Sequence, residues 1–394
     1  MNAPPEFGAG ARERWQRAQD LIGQSASAID TPALVIDLDA MERNLARMAD
    51  FARAKGLRLR PHAKMHKSAE LARLQMAHSA VGVCVQKTDE ALALAHAGVS
   101  DIYISNEVIA PAKLARLAQA VHALPTQFSI AVDSALGIAR LAEALQQAGV
   151  TGPAVIDVFV EIDVGHGRCG VAPAQVLALV QQVMAQHNLR FAGLQAYHGS
   201  AQHQRSVAER DAALAASEST VRQTLDALTA AGITVPLVTG AGTGSFVREA
   251  GSGLWGELQA GSYLFMDADY AANEADPGAP AFEHALFIKS QVMSVSAAHA
   301  VCDAGHKSHA IDSGLPSVWL PSGLAYANGG DEHGVLSVVD ETGELPALGE
   351  TVWLVPGHCD PTVNLHDFAI GLRGGLDAGQ VERLIAIDAR GALG

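Results

Sequence analysis

The sequence predicts a TIM-type (β/α)8 barrel followed by a C-terminal all-β domain. Short apolar runs alternate with alanine- and leucine-rich helical segments about eight times over roughly 230 residues, which is the size and rhythm of such a barrel. Near residue 286 the helical patterns vanish, and short strands separated by Gly, Pro and Asp turns continue to the C-terminus. An open doubly wound sheet is the weaker alternative because no GxGxxG motif follows the first strand.

The predicted elements follow one another in a regular order. A strand-like run at 33–37 precedes an amphipathic helix at 39–54. Eight candidate barrel strands then lie near 57–60, 81–85, 101–105, 129–132, 155–162, 190–196, 235–238 and 257–261. The helical segments between them include 107–121, 135–147, 173–187 and 206–231. We therefore expect a barrel over 29–285, a β domain over 286–394 and a loosely ordered leader over 1–28.

The composition is that of a compact globular protein and argues against several functional classes. Of the 394 residues, 49% are hydrophobic and 18% are charged. The 42 acidic residues outnumber the 27 basic ones, and the formal charge of -15 argues against nucleic acid as a partner. No apolar run reaches the roughly 20 residues that a membrane span needs. The four cysteines lack CxxC spacing, which is typical of reduced thiols and predicts a cytoplasmic protein.

The most informative segment is the basic cluster at 60–68, directly after the first predicted barrel strand. Chemistry in such barrels lies at the C-terminal ends of the strands. Crowding by like charges and partial desolvation would lower the pKa of Lys64, and a neutral amine attacks carbonyl groups. His62 either tunes that lysine or transfers a proton itself. A solvated basic turn is the plainer interpretation of such a cluster.

Polar side chains also follow several later strands. Gln86 ends the second barrel strand and is a candidate substrate contact. Arg168 lies in a glycine-rich segment after the fifth strand, where it either binds a substrate carboxylate or braces the barrel mouth. Tyr197 and His198 end the sixth strand. We interpret Tyr197 as an interior side chain with its hydroxyl near a cofactor, and His198 as a general base or a stacking residue.

The loop after the seventh strand predicts a phosphate site. Gly242, Thr243 and Gly244 combine small residues with a hydroxyl just before a helix, so they offer backbone amides to an anion. Barrels commonly bind phosphate in this loop, although a flexible turn is the alternative. A phosphate site together with an activated lysine indicates a phosphorylated aldehyde, for which pyridoxal phosphate is the obvious candidate.

A second candidate centre lies in the predicted β domain, where His358 and Asp360 are two residues apart. In an extended segment both side chains would point to one side while Cys359 points away. One imidazole and one carboxylate, completed by water, suit Mn²⁺ or Mg²⁺ better than Zn²⁺. A cysteine ligand would have favoured zinc, and an ordinary turn is the alternative interpretation.

Several motifs together give the sequence a family resemblance. They are RPHAKMHKS at 60–68, HGRCG at 166–170, LQAYHGS at 194–200, GTGS at 242–245, ELQAGSYLFMDADY at 257–270, DEHG at 331–334 and PGHCDPTVNLHD at 356–367. With them the chain resembles the metal-dependent D-threonine aldolases, a group that includes 3-hydroxy-D-aspartate aldolases and related D-serine dehydratases. The resemblance covers residues 29–394. It implies an alanine-racemase-like fold, that of the fold-type III pyridoxal-phosphate enzymes.

The resemblance also implies roles for individual residues. Lys64 becomes the cofactor lysine, and His358 and Asp360 become the ligands of a divalent metal ion. The implied phosphate contacts are Gly242, Thr243, Gly244, Ser262 and Tyr263. The dehydratase branch carries a cysteine where this chain has Asp360, which favours the aldolase.

The implied activity is cleavage of a small molecule, a D-3-hydroxy amino acid, to glycine and an aldehyde. D-Threonine and 3-hydroxy-D-aspartate are the candidate substrates, and the second would give glyoxylate. The alternatives are a dehydratase acting on D-serine or 3-hydroxyaspartate, an amino-acid racemase and a non-catalytic pyridoxal-phosphate carrier. By analogy with fold-type III enzymes, we also expect a homodimer.

Overall fold

Two sheets organise the structure, a computed structural model that describes residues 9–150, 152–153, 155–340 and 343–394. One sheet has eight parallel strands and the other has nine, most of them antiparallel. The chain begins with α1 (Ala9–Gln19), β1 (Ala33–Asp37) and α2 (Leu38–Ala54). None of the helices in these described ranges is long and apolar enough to cross a membrane.

The parallel sheet curls into the predicted barrel. Its strands are β2 (Arg58–Leu59), β3 (Val83–Val85), β4 (Asp101–Glu107), β5 (Gln127–Val132), β6 (Ile156–Glu161), β7 (Leu189–Ala196), β8 (Val238–Gly240) and β9 (Glu257–Leu258). Its helices are α3 (Ala69–Ala77), α4 (Thr88–His96), α5 (Pro111–Ala123), α6 (Ala135–Gln147), α7 (Pro173–Ala185), α8 (Val207–Ala230), α9 (Phe246–Gly251) and α10 (Ala268–Ala271). The order is β2-β9-β8-β7-β6-β5-β4-β3, and one bridge between His62 and Cys84 joins the two ends.

Local sequence signals explain several helix starts around the barrel. Pro111 and Pro173 open α5 and α7, where a missing N–H costs nothing. Ser206 begins α8 in a capping box, with its hydroxyl accepting from the Glu209 amide at 3.3 Å. Inside the barrel, the rings of Tyr103 and Phe159 lie 4.8 Å apart, so large side chains fill the interior.

The second sheet forms the C-terminal β domain. Its later elements are β10 (Leu286–Val295), β11 (Ala300–Cys302), β12 (Ser317–Leu320), β13 (Leu324–Asn328), β14 (Gly334–Val338), β15 (Thr351–Val355), α11 (Cys359–Val363), β16 (Phe368–Arg373) and β17 (Gln380–Ala386). The order β13-β14-β11-β10-β1-β16-β17 includes the N-terminal strand, and β15 joins β10 to β12. The predicted fold class, a barrel with a C-terminal all-β domain, is confirmed.

The N-terminal segment differs from the expected leader. Residues 1–8 lie outside the described ranges, but α1 packs on β17, and Ala18 and Ala26 are buried. The buried Lys289 ammonium donates to the carbonyls of Ala26 and Ile29 at 3.0 and 2.6 Å. Strand β1 pairs with β10 and β16. The described residues before α2 therefore pack with the β domain. They are held there by the Lys289 hydrogen bonds and by the pairing of β1, which short-range sequence patterns do not reveal.

Candidate active site

A cavity of about 540 Å³ opens at the carboxyl ends of the barrel strands and is bordered by one residue of the β domain, His358. Small-molecule sites fall in this size range. The predicted site residues that line it are His62, Lys64, Gln86, Arg168, Tyr197, Gly242, Thr243, Ser262 and His358. The structure thus brings most of the predicted side chains to one place, although they come from strands far apart in sequence.

Lys64 lies in a 3₁₀ turn, Ala63–Met65, and its ammonium contacts the Asp360 carboxylate. Burial favours the neutral amine, but attraction to Asp360 outweighs burial and raises the pKa of Lys64. The predicted lowering of this pKa is therefore wrong for the protein alone. The neighbouring cations are paired, since Arg60 contacts Glu257 at 3.2 Å and Lys67 contacts Glu90 at 2.8 Å, so they do not crowd the amine.

His62 stands beside Lys64 as a neutral ring. Its Nε2 lies 2.9 Å from the Gln86 amide nitrogen and 3.3 Å from the Ser105 hydroxyl, while its Nδ1 lies 3.4 Å from the Lys64 amide. Burial, together with the Lys64 charge, holds the pKa of His62 well below its usual 6.5. His66 does not reach the cavity, because it is buried between the Ser68 amide and Gln75.

The glycine loop contributes only part of the predicted phosphate surround. Gly242 and Thr243 line the cavity, as does Ser262 after β9. The Gly244 amide instead donates to the Gln202 side chain at 2.9 Å. The ring of Tyr263 is buried in the core, and only its amide approaches the loop, donating to the Thr243 hydroxyl at 3.1 Å. Gly244 and the Tyr263 side chain therefore lie outside the cavity lining, on the buried side of the loop.

A buried network underlies this loop. Gln202 donates to the Ser245 hydroxyl at 2.7 Å, and that hydroxyl donates to Glu249 at 2.8 Å. A Cβ at Gly242 would stand 2.3 Å from Gln202, so the close approach requires glycine. Glu249 is fully buried, and burial raises its pKa to about 8. A neutral carboxyl group under the loop leaves the cavity side open to an anion.

His358 and Asp360 converge as predicted, but by a different route. The segment is not extended, because α11 begins at Cys359 and only His358 has extended backbone angles. His358 Nε2 lies 3.8 Å from Asp360 Oδ1, and that buried oxygen has no hydrogen-bond partner in the described parts of the chain. Cys359 is buried and points to the Met266 carbonyl. An orphaned carboxylate oxygen facing an imidazole nitrogen fits a divalent cation.

Asp312 fixes the orientation of His358. The His358 Nδ1–H donates to Asp312 Oδ2 at 2.7 Å, and because a carboxylate only accepts, the proton must sit on Nδ1. Nε2 is then free to bind a cation, which is the usual arrangement of a metal-bound histidine. Within the described ranges, however, no group of three or more His, Cys, Asp or Glu side chains is placed to hold a metal ion. The protein would supply two ligands, and water or substrate the rest.

Asp267 ties the turn that carries His358 and Asp360 to the barrel. This fully buried carboxylate accepts from the Tyr270 amide at 2.9 Å and from the Cys359 amide at 3.0 Å. It therefore caps α10 and at the same time anchors the first turn of α11. Burial raises its pKa to about 6.

The predicted base, His198, does not line the cavity. Its ring is buried, and its Nδ1 lies 3.3 Å from the Ala201 amide and 3.3 Å from the Ser200 hydroxyl. His166 stacks on it and reaches the cavity instead. Arg168 also borders the cavity, with its guanidinium 5.7 Å from the centre of the Tyr197 ring.

Several cavity residues were given no individual role from the sequence. They are Ser105, His166, Gln195, His203, Gln259 and Tyr270. Of these, His203 has the clearest chemical signature, because its Nδ1–H donates to Asp269 Oδ2 at 2.6 Å. His203 lies just after the motif at 194–200, and Asp269 lies within the motif at 257–270. This proximity to the motifs is the sequence signal that could have identified the pair.

The fold and the site define a barrel enzyme of the alanine racemase type with a C-terminal β domain. The alanine racemase N-terminal domain family matches residues 36–269, and the putative serine dehydratase domain family matches residues 285–372. A D-threonine aldolase from Arthrobacter sp is 46% identical over 371 residues, covering 94% of this chain and 95% of that protein. A 3-hydroxy-D-aspartate aldolase from Paracoccus denitrificans (strain Pd 1222) is 44% identical over 380 residues, with the same coverage of 94% and 95%.

A solved structure agrees with these relatives. The crystal structure of D-threonine aldolase from Filomicrobium marinum is 47% identical and gives a TM-score of 0.90, covering 95% of this chain and 99% of that one. The chain belongs to the family of D-threonine aldolases and 3-hydroxy-D-aspartate aldolases, which are carbon–carbon lyases. The predicted resemblance is confirmed, and the alanine-racemase-like fold implies pyridoxal phosphate as the cofactor.

Proposed function

We propose that the protein is a pyridoxal-phosphate- and divalent-metal-dependent aldolase that cleaves D-3-hydroxy amino acids, such as D-threonine, to glycine and an aldehyde. The contact between Lys64 and Asp360 carries this proposal. It brings the candidate cofactor lysine of the barrel against the candidate metal pair of the β domain. A racemase or a passive carrier needs no such pair.

The cavity residues fit the cofactor. Lys64 would hold the aldehyde carbon, and Gly242, Thr243 and Ser262 would hold the phosphate at the glycine-loop end of the cavity. Bound pyridoxal phosphate supplies a sink for the electron pair that the broken Cα–Cβ bond leaves behind. Before the cofactor binds, the Lys64 ammonium must lose its proton, a loss that its contact with the Asp360 carboxylate opposes.

His358 and Asp360 fit a divalent cation, with Mn²⁺ and Mg²⁺ as the candidates. A bound ion supplies positive charge where the substrate β-oxygen becomes an alkoxide, which favours C–C cleavage. Attraction to Lys64 and His358 outweighs burial and lowers the pKa of Asp360, so the carboxylate stays ionised and able to bind the ion.

The remaining residues bind substrate and move protons. Arg168 offers the substrate α-carboxylate a two-pronged partner at the barrel mouth. We assign the proton acceptor for the β-hydroxyl to His203 in place of His198. The Asp269 carboxylate holds the proton of His203 on Nδ1, which leaves Nε2 as an acceptor in the cavity. Neutral His62 orients the Lys64 turn by accepting from the Lys64 amide at Nδ1, so its proton lies on Nε2, which is placed to donate to the Ser105 hydroxyl.

Product analysis tests this function. Purified protein with pyridoxal phosphate and Mn²⁺ is offered D-threonine, L-threonine and 3-hydroxy-D-aspartate, with and without EDTA. We expect glycine and an aldehyde from the D-isomers only, with loss of activity in EDTA and in Lys64→Ala. Lys55→Ala, which removes an exposed lysine after α2, is the matched control and should stay active.

Other products would point to other functions. A 2-oxo acid with ammonia would identify a dehydratase, and chelator-resistant interconversion of alanine enantiomers would identify a racemase. Bound cofactor without turnover would favour the carrier. The homodimer expected from the resemblance stays a prediction, which light scattering on the purified protein tests.

A further inference from the structure

The loop between β6 and α7 is built to present side chains to the cavity. The Asp163 carboxylate accepts from the amides of Gly165 and Gly167 at 2.9 and 3.0 Å, and so the loop wraps around it. Both glycines have positive φ angles, +113° and +68°, a backbone conformation that side chains disfavour. Two residues of the loop, His166 and Arg168, line the cavity.

The position and the tautomer of His166 are fixed by its neighbours. Its Nδ1 lies 2.7 Å from the Gly199 amide, and because an amide N–H only donates, Nδ1 must be the acceptor. The proton of the neutral ring therefore lies on Nε2, which becomes a donor. A Cβ at Gly199 would stand 2.0 Å from the imidazole, so this contact requires glycine. Behind it, the His198 ring stacks at 6.2 Å with an interplanar angle of 24°.

The charge of the cavity points to an anionic ligand. Its charged lining residues are Lys64 and Arg168, and no Asp or Glu of the described ranges lines it, although the chain carries a formal charge of -15. The cofactor phosphate would occupy the glycine-loop end, and Lys64 would be bound to the cofactor aldehyde and unavailable to the substrate. Arg168 would take the substrate α-carboxylate. The His166 donor is then left without an assigned partner, on the same loop as Arg168.

We propose that His166 is a specificity-determining residue whose Nε2–H donates to a carboxylate on the substrate Cβ. The preferred substrate would then be a dicarboxylic D-3-hydroxy amino acid, of the 3-hydroxyaspartate type, and not D-threonine. This inference rests on the proposed aldolase function. A methyl group at Cβ would leave the donor unpaired, whereas a carboxylate would satisfy it with a charge-assisted bond.

The first test compares kcat/KM for 3-hydroxy-D-aspartate and D-threonine in wild type, His166→Phe and His122→Phe. Phenylalanine keeps a ring to stack on His198 but removes the donor, and His122, near the end of α5, makes the same change outside the cavity. We expect His166→Phe to lower the dicarboxylate value by about tenfold or more while the D-threonine value stays within about twofold. Equal losses on both substrates, or a wild-type preference for D-threonine, would overturn the inference.

A binding experiment separates this inference from the proposed function. D-Aspartate carries the carboxylate but no β-hydroxyl, so an aldolase does not cleave it, and D-alanine is its matched probe. Binding to the holoenzyme is followed through the cofactor absorbance, with EDTA present so that no metal ion contributes. We expect D-aspartate to bind at least about tenfold more tightly than D-alanine, an advantage that His166→Phe abolishes.

Each outcome of the binding experiment has one meaning. Equal affinity of wild type for D-aspartate and D-alanine would overturn the carboxylate subsite even if the enzyme is an aldolase. A preference for D-aspartate that depends on His166, without cleavage of any 3-hydroxy amino acid, would support the subsite and refute the aldolase.

Discussion

Removing the Asp312 carboxylate should weaken metal binding without unfolding the protein. In Asp312→Ala the His358 ring loses the acceptor 2.7 Å from Nδ1, so the proton is free to move to Nε2 and block the ligand position. Such partners of metal-bound histidines are worth about 10–100-fold in metal affinity, or about 1.4–2.8 kcal/mol. Asp312→Asn keeps an acceptor oxygen without the charge, so we expect an intermediate loss.

The control for this experiment is Asp331→Ala. Asp331 makes the same kind of contact, 3.0 Å from His306 Nε2, and its side chain is 53% exposed against 52% for Asp312. Isothermal titration with Mn²⁺ measures the affinity, and urea unfolding without metal measures stability. We expect Asp331→Ala to bind Mn²⁺ like wild type and all variants to unfold alike. Wild-type affinity in Asp312→Ala, or an equal loss in Asp331→Ala, would refute the assignment of His358.

Two further predictions concern buried carboxyl groups. Asp267→Ala leaves the Tyr270 and Cys359 amides without an acceptor, so urea unfolding should show a loss of about 3 kcal/mol. Asp267→Asn, which keeps one acceptor, should lose less, and equal losses would contradict the bridging role. Because burial raises the pKa of Glu249 from 4.5 to about 8, its contribution to stability is complete below pH 4.5 and is lost as the pH rises through about 8. Relative to wild type, Glu249→Gln should therefore gain up to about 5 kcal/mol of unfolding free energy between about pH 5 and pH 9, and a pH-independent difference would exclude this titration.

The alternation of strands and helices made the barrel predictable, because each strand is a short apolar run and each helix an alanine- and leucine-rich segment. Position within the barrel then located Lys64 and the glycine loop, since strand ends converge wherever a parallel sheet closes. The pairing of His358 with Asp360 was also predictable, although from the wrong backbone geometry. A turn of helix that starts after His358 brings the two side chains together, as an extended segment would. The two-residue spacing alone therefore does not distinguish a helical turn from a strand.

Long-range pairing was not predictable from local patterns. The predicted barrel range, 29–285, includes strand β1, and only its bonds to β10 and β16 assign it to the sheet of the β domain. The pKa of Lys64 depends on Asp360, which lies 296 residues further along the chain. His166 lines the cavity where His198 was predicted, for a similar reason. Which imidazole reaches the cavity depends on how the β6–α7 loop packs against Gly199, a contact between separate strand ends.

The strap, residues 267–270 at the start of α10, ties the barrel cavity to the turn that carries His358 and Asp360. The Ala268 and Asp269 amides donate to the carbonyls of Pro356 and Gly357 at 3.0 and 3.2 Å, and Asp267 accepts from the Cys359 amide. The same short segment carries Tyr270 into the cavity and holds His203 through Asp269. A displacement of the turn that carries His358 and Asp360 would therefore move the proposed proton acceptor with it. Since reacting groups tolerate errors of well under about 1 Å, a shared strap preserves their relative positions better than two independent loops would.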